Sequence, residues 1–432
     1  MLDLTTHWTG FLSLIIFVVA YVLVVFEEAI DLRKSKPVLV AAGLIWALIG
    51  ISYAQAGMSD KAHEHAVEII AEYGELFLFL LVAITYVNTL EERRVFDSLR
   101  AKLIKMGLSY RQLYWLTGIV TFLLSPLLDN LTTTLVMGAV VIAVGFQSSR
   151  FVTIGCINIV VASNAGGAFS PFGDITTLMV WQKGKLEFVE FFALLIPSII
   201  NWIIPAVIMH FALPQDSPDT KGESVKMKAG AIGVIFLFVA TIVTAVSFKN
   251  FLSLPPALGM MLGLGYLQVL AYFLKERGRK RGDREMVLDS FRQIERVEWD
   301  TLLFFFGIVF AVGGLGVLGY LQMASEFLYT GLGATSANVI IGALSAIVDN
   351  IPLMFAVLTM DPAMSDGQWL LITLTCGVGG SMLSIGSAAG VALMGQAKAV
   401  YTFSSHLKWA WAIALGYIFS IIAHLTINAN LL

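Results

Sequence analysis

The sequence predicts an all-α polytopic membrane protein that contains an internal repeat, and three observations support this. Hydrophobic residues make up 58% of the 432 residues and charged residues only 13%, whereas soluble domains carry about 25% charged residues. Apolar stretches of about 20 residues, the length at which a helix crosses a bilayer, recur along the chain. A short polar motif also occurs twice, each time inside an apolar stretch.

The repeated motif is Ser-x-x-x-Asp-Asn. Its first copy begins at Ser125 and its second at Ser345, an offset of 220 residues (345 − 125). Glycines further along the chain also recur, at an offset of 213 (379 − 166). Two patterns that recur in the same order at nearly the same offset indicate two related halves. The matching glycines are Gly166, Gly167 and Gly173 in the first half and Gly379, Gly380 and Gly386 in the second.

The predicted organisation has four parts, two of which are repeats. Each repeat contains an apolar stretch that is too long for one transmembrane span and too short for two. Ser125-Pro126 is predicted to break the first stretch, because proline lacks the N–H that a helix needs. The parts are N-terminal transmembrane helices (1–72), a first inverted repeat (73–213; hairpin 114–145, broken helix 151–181), a linker with two transmembrane helices and a cytoplasmic basic loop (214–298), and a second inverted repeat (299–432; hairpin 333–358, broken helix 369–396).

The distribution of basic residues predicts the orientation, because loops rich in Lys and Arg face the cytoplasm. Residues 33–36, 91–111 and 275–298 are therefore predicted to be cytoplasmic, and loops 58–72 and 361–368 external. These constraints place both termini outside. They also make one hairpin enter from the cytoplasm and the other from outside, so the repeats are inverted. Lys183 and Lys185 fall on the external side and oppose this assignment mildly.

The four interrupted segments contain three acids, Asp129, Asp174 and Asp349, and no Lys, Arg or His. An ionisable residue inside a membrane is costly and marks a functional site, and transporters place such sites at broken helices near the midplane. Oxygen ligands suit hard cations. Burial disfavours a charged carboxylate, so a proton competes with the cation. The sequence therefore predicts cation–proton exchange, with a Na⁺ site formed by Asp129, Asn130, Asp349 and Asn350.

Neutral side chains in the same segments are predicted to complete the site or to hold the broken helices. The alternative is structural: Asp and Asn can cap half-helices, and Ser, Thr and Asn commonly join transmembrane helices to one another. Asp174 in particular could cap a helix at the external rim. The further candidates are Thr132, Thr133, Ser163, Asn164, Ser384 and Ser387.

From about Glu75 to its end, the chain resembles the NhaD-type sodium/proton antiporter family of the ion transporter superfamily. Residues 125–133, 163–174 and 348–352 carry the resemblance, and the motif that ends at Asp174 is the most specific. The resemblance implies an inverted-repeat fold with a scaffold domain and a moving transport domain, working as a homodimer by an elevator-like motion. It also implies exchange of Na⁺ or Li⁺ for H⁺ and a role in pH homeostasis, in a bacterial inner membrane.

Relatives of that family are arsenite-efflux pumps and divalent-anion/sodium symporters. The symporters carry Ser-Asn-Thr at their hairpin tips, where this chain has Asp129 and Asp349, which argues against a dicarboxylate carrier. An arsenite or oxyanion efflux permease stays open as the nearest alternative. A passive channel is another, and an intramembrane aspartyl protease a third, although Pro171 replaces the first glycine of its Gly-x-Gly-Asp signature. We expect no enzyme activity, cofactor or nucleic acid; the expected partners are lipid, small cations and a second copy.

Overall fold

The computed structural model describes residues 2–218, 225–397 and 400–432, and every regular element in these ranges is helical. Residues 219–224 of the predicted linker lie outside the described ranges. The helices up to the linker are α1 (Trp8–Val25), α2 (Glu27–Ile30), α3 (Ser35–Gln55), α4 (Ser59–Glu92), α5 (Val95–Lys105), α6 (Tyr110–Leu128), α7 (Asn130–Gly145), α8 (Ser149–Gly167), α9 (Ile175–Gln182) and α10 (Leu195–His210).

The helices after the linker repeat the alternation of long and interrupted elements. They are α11 (Ala231–Leu252), α12 (Pro256–Arg281), α13 (Ser290–Glu295), α14 (Trp299–Val317), α15 (Tyr320–Ser325), α16 (Ala334–Leu344), α17 (Asn350–Met360), α18 (Asp366–Gly379), α19 (Ala388–Gln396), α20 (Phe403–Leu407) and α21 (Ala410–Ile427).

Seven helical segments of the described chain are long and apolar enough to cross a membrane. They are α1, α3, α11, α12, α14, α21 and the segment Glu190–His210, which contains α10. This confirms the prediction of an all-α polytopic membrane protein. The helices pack in two groups. One contains α1, α3, α4, α11, α12 and α14; the other contains α6, α7, α8, α10, α16, α18, α19 and α21.

Helices α6 and α7 both pack against α8, in opposite directions. The beginning of α6 lies beside the beginning of α8, whereas α7 begins beside the end of α8 and returns along it. The turn between α6 and α7 therefore lies near the end of α8, where the chain is irregular from Ala168 to Asp174. The contacts that define these directions join Tyr110 with Phe151, Ser125 and Thr134 with Ser163, and Gly145 with Phe151.

The second half of the chain forms matching contacts. Helix α16 runs beside α18, with Asn338 bonded to Gln368 at one end and Ser345 to Cys376 at the other. The Ser345 hydroxyl donates to the Cys376 carbonyl at 3.0 Å, just as the Ser125 hydroxyl donates to the Ser163 carbonyl at 2.6 Å. These two bonds are related by the offsets of 220 and 213 that the sequence contains (345 − 125, 376 − 163).

The first break in the helices differs from the prediction. Pro126 lies inside α6, which continues to Leu128, and the chain turns at Asp129, whose φ is +64°. Proline lacks the N–H that would bond the Phe122 carbonyl. The helix nevertheless continues past it, and α8 packs closely here, since a Cβ atom on Gly166 would lie 2.4 Å from that carbonyl oxygen. Proline therefore marks the last turn of the helix rather than its end.

Two predicted surface segments are also corrected. Residues 58–72 were expected to form an external loop, but α4 begins at Ser59 and continues through them. Its 34 residues span about 50 Å, more than the ~30 Å of a bilayer core. Arg93 belongs to the basic stretch 91–111, which is predicted to be cytoplasmic and therefore exposed to water, but its side chain is completely buried. Its guanidinium group bonds Glu92 and the carbonyl oxygens of Ala229, Glu285 and Val287.

Candidate functional site

Asp174 is the centre of the polar network at the broken helices, and its side chain is only 3% exposed. Asn130 donates to one of its carboxylate oxygens at 2.6 Å, and Asn350 donates to the same oxygen at 3.2 Å. The other oxygen accepts from the backbone N–H and the hydroxyl of Thr176, both at 2.8 Å. Asp174 therefore caps α9, as the structural alternative proposed, and also joins the first residues of α7 and α17.

Asn164 extends this network to the second half of the chain. Its side-chain oxygen accepts from Asn130 at 3.0 Å. Its amide group donates to Ser381 at 2.8 Å and to Ser387 at 3.1 Å. Ser387 occupies the position that matches Asp174 at the offset of 213 (387 − 174), and it caps α19 as Asp174 caps α9. The two halves thus meet through side chains at matching helix starts.

The irregular segments beside these caps depend on glycine. A Cβ atom on Gly167 would lie 2.5 Å from the Gly173 carbonyl oxygen, and one on Gly380 would lie 2.6 Å from that of Gly386. No side chain fits there, because the backbone before and after each break is in direct contact. The repeated glycines of the sequence therefore allow the chain to fold back just before Asp174 and Ser387.

Asp129 does not take part in this network and instead forms hydrogen bonds with the helix that follows it, α7. Its two carboxylate oxygens accept from the backbone N–H and the hydroxyl of Thr132, each at 2.8 Å. Both bonds cap α7, and a negative charge at a helix start is favourable. Thr132 is thereby placed as a partner of Asp129. The predicted Na⁺ site, in which Asp129 and Asp349 share one cluster with the two asparagines, is not tested by this arrangement and stays a prediction.

Asp349 has a different environment. Its backbone N–H donates to the Tyr21 hydroxyl at 3.2 Å. One of its carboxylate oxygens is buried and has no hydrogen-bond partner among the described residues. The same holds for the hydroxyl groups of Thr133 and Ser384. Because a buried oxygen without a partner is energetically costly, these three atoms are candidate ligands for a cation, and the carboxylate oxygen is also a candidate for protonation.

The remaining predicted residue, Ser163, is a structural partner of both neighbouring helices. Its hydroxyl bonds Thr134 at 2.6 Å and the Val160 carbonyl at 3.0 Å, while its own carbonyl accepts from Ser125. Ser163 therefore helps to fix the ends of α6 and α7 against α8. Thr134 was not predicted as a site residue. Its position directly after the predicted residues Thr132 and Thr133 could have indicated it.

Two adjoining cavities reach the carboxylates. One, of about 120 Å³, is lined by Asp129 and Asp174; the other, of about 280 Å³, is lined by Asp349. Lys34 and Glu298 line both cavities. Sequence reasoning missed these two charges because it considered only the four interrupted segments. Within the described ranges, no group of three or more His, Cys, Asp or Glu side chains is placed to hold a metal ion.

Comparisons with known proteins identify relatives of this chain. Residues 21–377 match the family described as citrate transporter. The chain is 54% identical to the Na(+)/H(+) antiporter NhaD of Halomonas elongata, covering 99% of this chain and 90% of the relative. It is 55% identical to NhaD of Alkalimonas amylolytica, covering 100% and 93%. It is also 32% identical to sodium/proton antiporter 1 of Arabidopsis thaliana, covering 96% and 72%.

A helical fold with apolar spans, related to proteins named as transporters rather than enzymes, defines an integral membrane transporter. More narrowly, the chain belongs to the citrate transporter family and to the NhaD Na(+)/H(+) antiporter family. The resemblance to the NhaD-type antiporter family is thereby confirmed, over nearly the whole chain rather than from Glu75 onward.

Proposed function

We propose that this protein exchanges Na⁺ or Li⁺ for H⁺ across the membrane, as its relatives' names describe for them. One observation carries the proposal: the buried Asp174 carboxylate accepts hydrogen bonds from Asn130 and Asn350, the first residues of two matching helices. A cation or a proton that binds Asp174 changes contacts in both halves of the molecule at once. No cofactor takes part, and Na⁺, Li⁺ and H⁺ are the transported species.

Competition at a buried carboxylate supplies the exchange. A carboxylate removed from water is stabilised either by a bound cation or by protonation, so the two bind alternately. The amide groups of Asn130 and Asn350 position the Asp174 carboxylate. The buried oxygens of Thr133, Asp349 and Ser384 offer further ligands of the type that hard cations prefer. Asp129 and Asp349, at the starts of α7 and α17, carry the second and third exchangeable charges.

The charge of the site favours a cation over an anion. Five carboxylates line the two cavities, against one ammonium group, that of Lys34. They are Glu27, Asp129, Asp174, Glu298 and Asp349. An anionic substrate such as citrate would have to approach this excess of negative charge, which costs free energy in a poorly hydrated site. The cavity of about 120 Å³ beside Asp174 also suits a small ion.

For the transport cycle we propose that hairpins 114–145 and 333–358 are re-entrant and that the two repeats are inverted. The matching bonds of Ser125 and Ser345 support a common ancestry of the repeats. The two groups of packed helices suit a scaffold and a transport domain that move relative to each other like an elevator. The protein would work as a homodimer in a bacterial inner membrane, with both termini external.

The test is dequenching of a ΔpH-sensitive dye in everted vesicles after NaCl, LiCl or KCl is added at neutral to alkaline pH. Asp174→Asn is the informative variant, because asparagine can still cap α9 but cannot bind H⁺ or hold a negative charge. We expect Na⁺ and Li⁺ to dequench the wild-type signal and Asp174→Asn to abolish it. Asp129→Asn and Asp349→Asn should each reduce it severely.

Asp361→Asn is the matched control, because Asp361 is exposed and paired with Lys185. Cation–proton exchange by this variant should stay at the wild-type level. Full exchange by folded Asp174→Asn would contradict the central role of that carboxylate. No response of folded, inserted wild-type protein to any cation would contradict antiport itself. In that case arsenite resistance in a pump-deleted host would test the oxyanion alternative.

A further inference from the structure

A large basic cavity lies away from the proposed transport site, between α5 and the beginning of α11. Its volume is about 780 Å³, and α5 residues and residues 225–233 line it. No acidic side chain is found among the described residues that line it. The lysines that line it are Lys102, Lys105, Lys226 and Lys228.

Lys102, Lys105 and Lys226 are exposed at this cavity, whereas Lys228 is half-buried and bonded to Glu92 at 3.0 Å. The first residues of α11 also line the cavity, and the helix begins after Gly230 without a side chain that caps it. Uncapped N–H groups at a helix start favour an anion. The lysines and the start of α11 therefore give this cavity a positive electrostatic potential.

An exposed apolar stripe leads away from the cavity along α11, which is a candidate membrane span. It begins at Ile232, which lines the cavity and is 73% exposed, and continues through Phe236, which is 71% exposed. Val239 and Val243 follow at helical spacing and are also exposed. The basic cavity and the apolar stripe are thus continuous on one helix.

We propose that this cavity binds the phosphate headgroup of an anionic phospholipid, whose acyl chain follows the apolar stripe of α11. Only a ligand with a negative head and an apolar tail is complementary to both surfaces, and basic residues beside a membrane span attract anionic lipid. A free phosphate ion would bind the lysines but leave the stripe unused. The lipid would stabilise the junction at which Lys228 bonds Glu92 and the Lys228 N–H bonds the Arg93 carbonyl.

The test measures lipid binding by the full chain in neutral detergent, so that its outcome does not depend on transport. Dioleoylphosphatidylglycerol is titrated while the melting temperature is followed, with dioleoylphosphatidylcholine and inorganic phosphate as separate probes. We expect phosphatidylglycerol alone to raise the melting temperature. The triple variant Lys102→Gln, Lys105→Gln and Lys226→Gln should weaken phosphatidylglycerol binding on the order of 100-fold, from the typical contribution of each lysine.

The matched control removes three exposed lysines that do not line the cavity, by Lys36→Gln, Lys275→Gln and Lys280→Gln. It has the same change in net charge and should bind phosphatidylglycerol like the wild type. Equal loss in both triple variants, or wild-type binding by the cavity variant, would overturn the proposal. A shift produced by inorganic phosphate alone would overturn it in favour of a soluble anion. No shift of the wild type would overturn it and favour a second copy of the chain on this face.

Discussion

At the scale of single residues, the three acids of the interrupted segments are not equivalent, and only Asp174 lies outside the repeated Ser-x-x-x-Asp-Asn motif. Asp129 directs both oxygens to Thr132 of its own helix. Asp174 instead accepts from Asn130 and Asn350, which come from different halves of the chain. An aspartate that only caps a helix contacts that one helix, whereas an aspartate that accepts hydrogen bonds from two other helices links those helices to each other. For this reason we expect Asp174→Asn to impair exchange more than Asp129→Asn or Asp349→Asn does.

Glu92 provides a residue-scale prediction about pH. Burial alone raises the pKa of Glu92, but hydrogen bonds from Arg93 and Lys228 outweigh burial and hold the pKa below its ordinary value of 4.5. The lowered pKa in the folded state means that ionised Glu92 stabilises the fold at neutral pH, and that this contribution is lost as the pH falls through that pKa. We therefore expect Glu92→Gln to lower the melting temperature at neutral pH.

The difference between Glu92→Gln and wild type should shrink in acid and disappear well below pH 4.5, in thermal melts of the detergent-solubilised protein. Asp97→Asn is the control, since Asp97 forms an exposed pair with Arg100 at 3.4 Å, and exposed pairs contribute little. A constant difference at every pH would show that Glu92 acts through packing rather than charge.

At the scale of elements, close contact between broken helices depends on small residues at matching positions. A methyl group on Gly166 would overlap the Phe122 carbonyl oxygen, and one on Gly379 would overlap that of Gly342. The two contacts are related by the repeat offsets (342 − 122 = 220, 379 − 166 = 213). Each half therefore brings its hairpin onto its broken helix through the same backbone contact, and a side chain would force the elements apart.

Gly166→Ala and Gly379→Ala should each destabilise the protein, by about 1–3 kcal/mol if the helices shift to accept the methyl group. Thermal unfolding in detergent measures the effect, and Na⁺-dependent exchange should fall with it because Asp174 and Ser387 follow these contacts. Gly265→Ala in α12 is the control, because nothing lies within 4 Å of its added methyl group. It should be neutral or slightly stabilising, and an equal loss there would contradict the contact-based explanation.

At the scale of the whole molecule, ion pairs account for the two lysines that opposed the predicted orientation. Lys183 pairs with Glu72 and Lys185 pairs with Asp361. Both partners belong to segments that the charge distribution assigned to the outside. The charge of each lysine is balanced by that of its carboxylate partner, so each pair is neutral overall. The external assignment of residues 183–185 therefore conflicts less with the preference of basic loops for the cytoplasm.

Orientation can be tested with one introduced cysteine near the beginning of α4 and another near the end of α12. Lys61 lies near the beginning of α4, and Lys280 lies near the end of α12. The residues that follow α12 contact Arg93, at the other end of α4. Both lysines are exposed, whereas the native Cys156 and Cys376 are buried. An impermeant maleimide should label Lys61→Cys in intact spheroplasts and Lys280→Cys only in everted vesicles. Labelling of both variants from the same side would contradict the predicted topology.

The sequence by itself determined the membrane class, the helical fold and the positions of the repeated motifs. These features follow from local composition: apolar length requires helices in a bilayer, and buried Asp and Asn are conspicuous in apolar stretches. It also indicated most of the polar residues that line the break points, such as Asn164 and Ser387. Their types and spacings are visible without any knowledge of how helices pack.

Only the tertiary structure decided which of these residues meet. It joined Asn130 and Asn350 at Asp174, left one buried oxygen of Asp349 without a described partner, and brought Lys34 to the cavities from outside the repeats. It also moved the first break from Pro126 to Asp129. Such outcomes depend on contacts between residues far apart in the chain, whose geometry is set by the packing of whole helices and leaves no local pattern in the sequence.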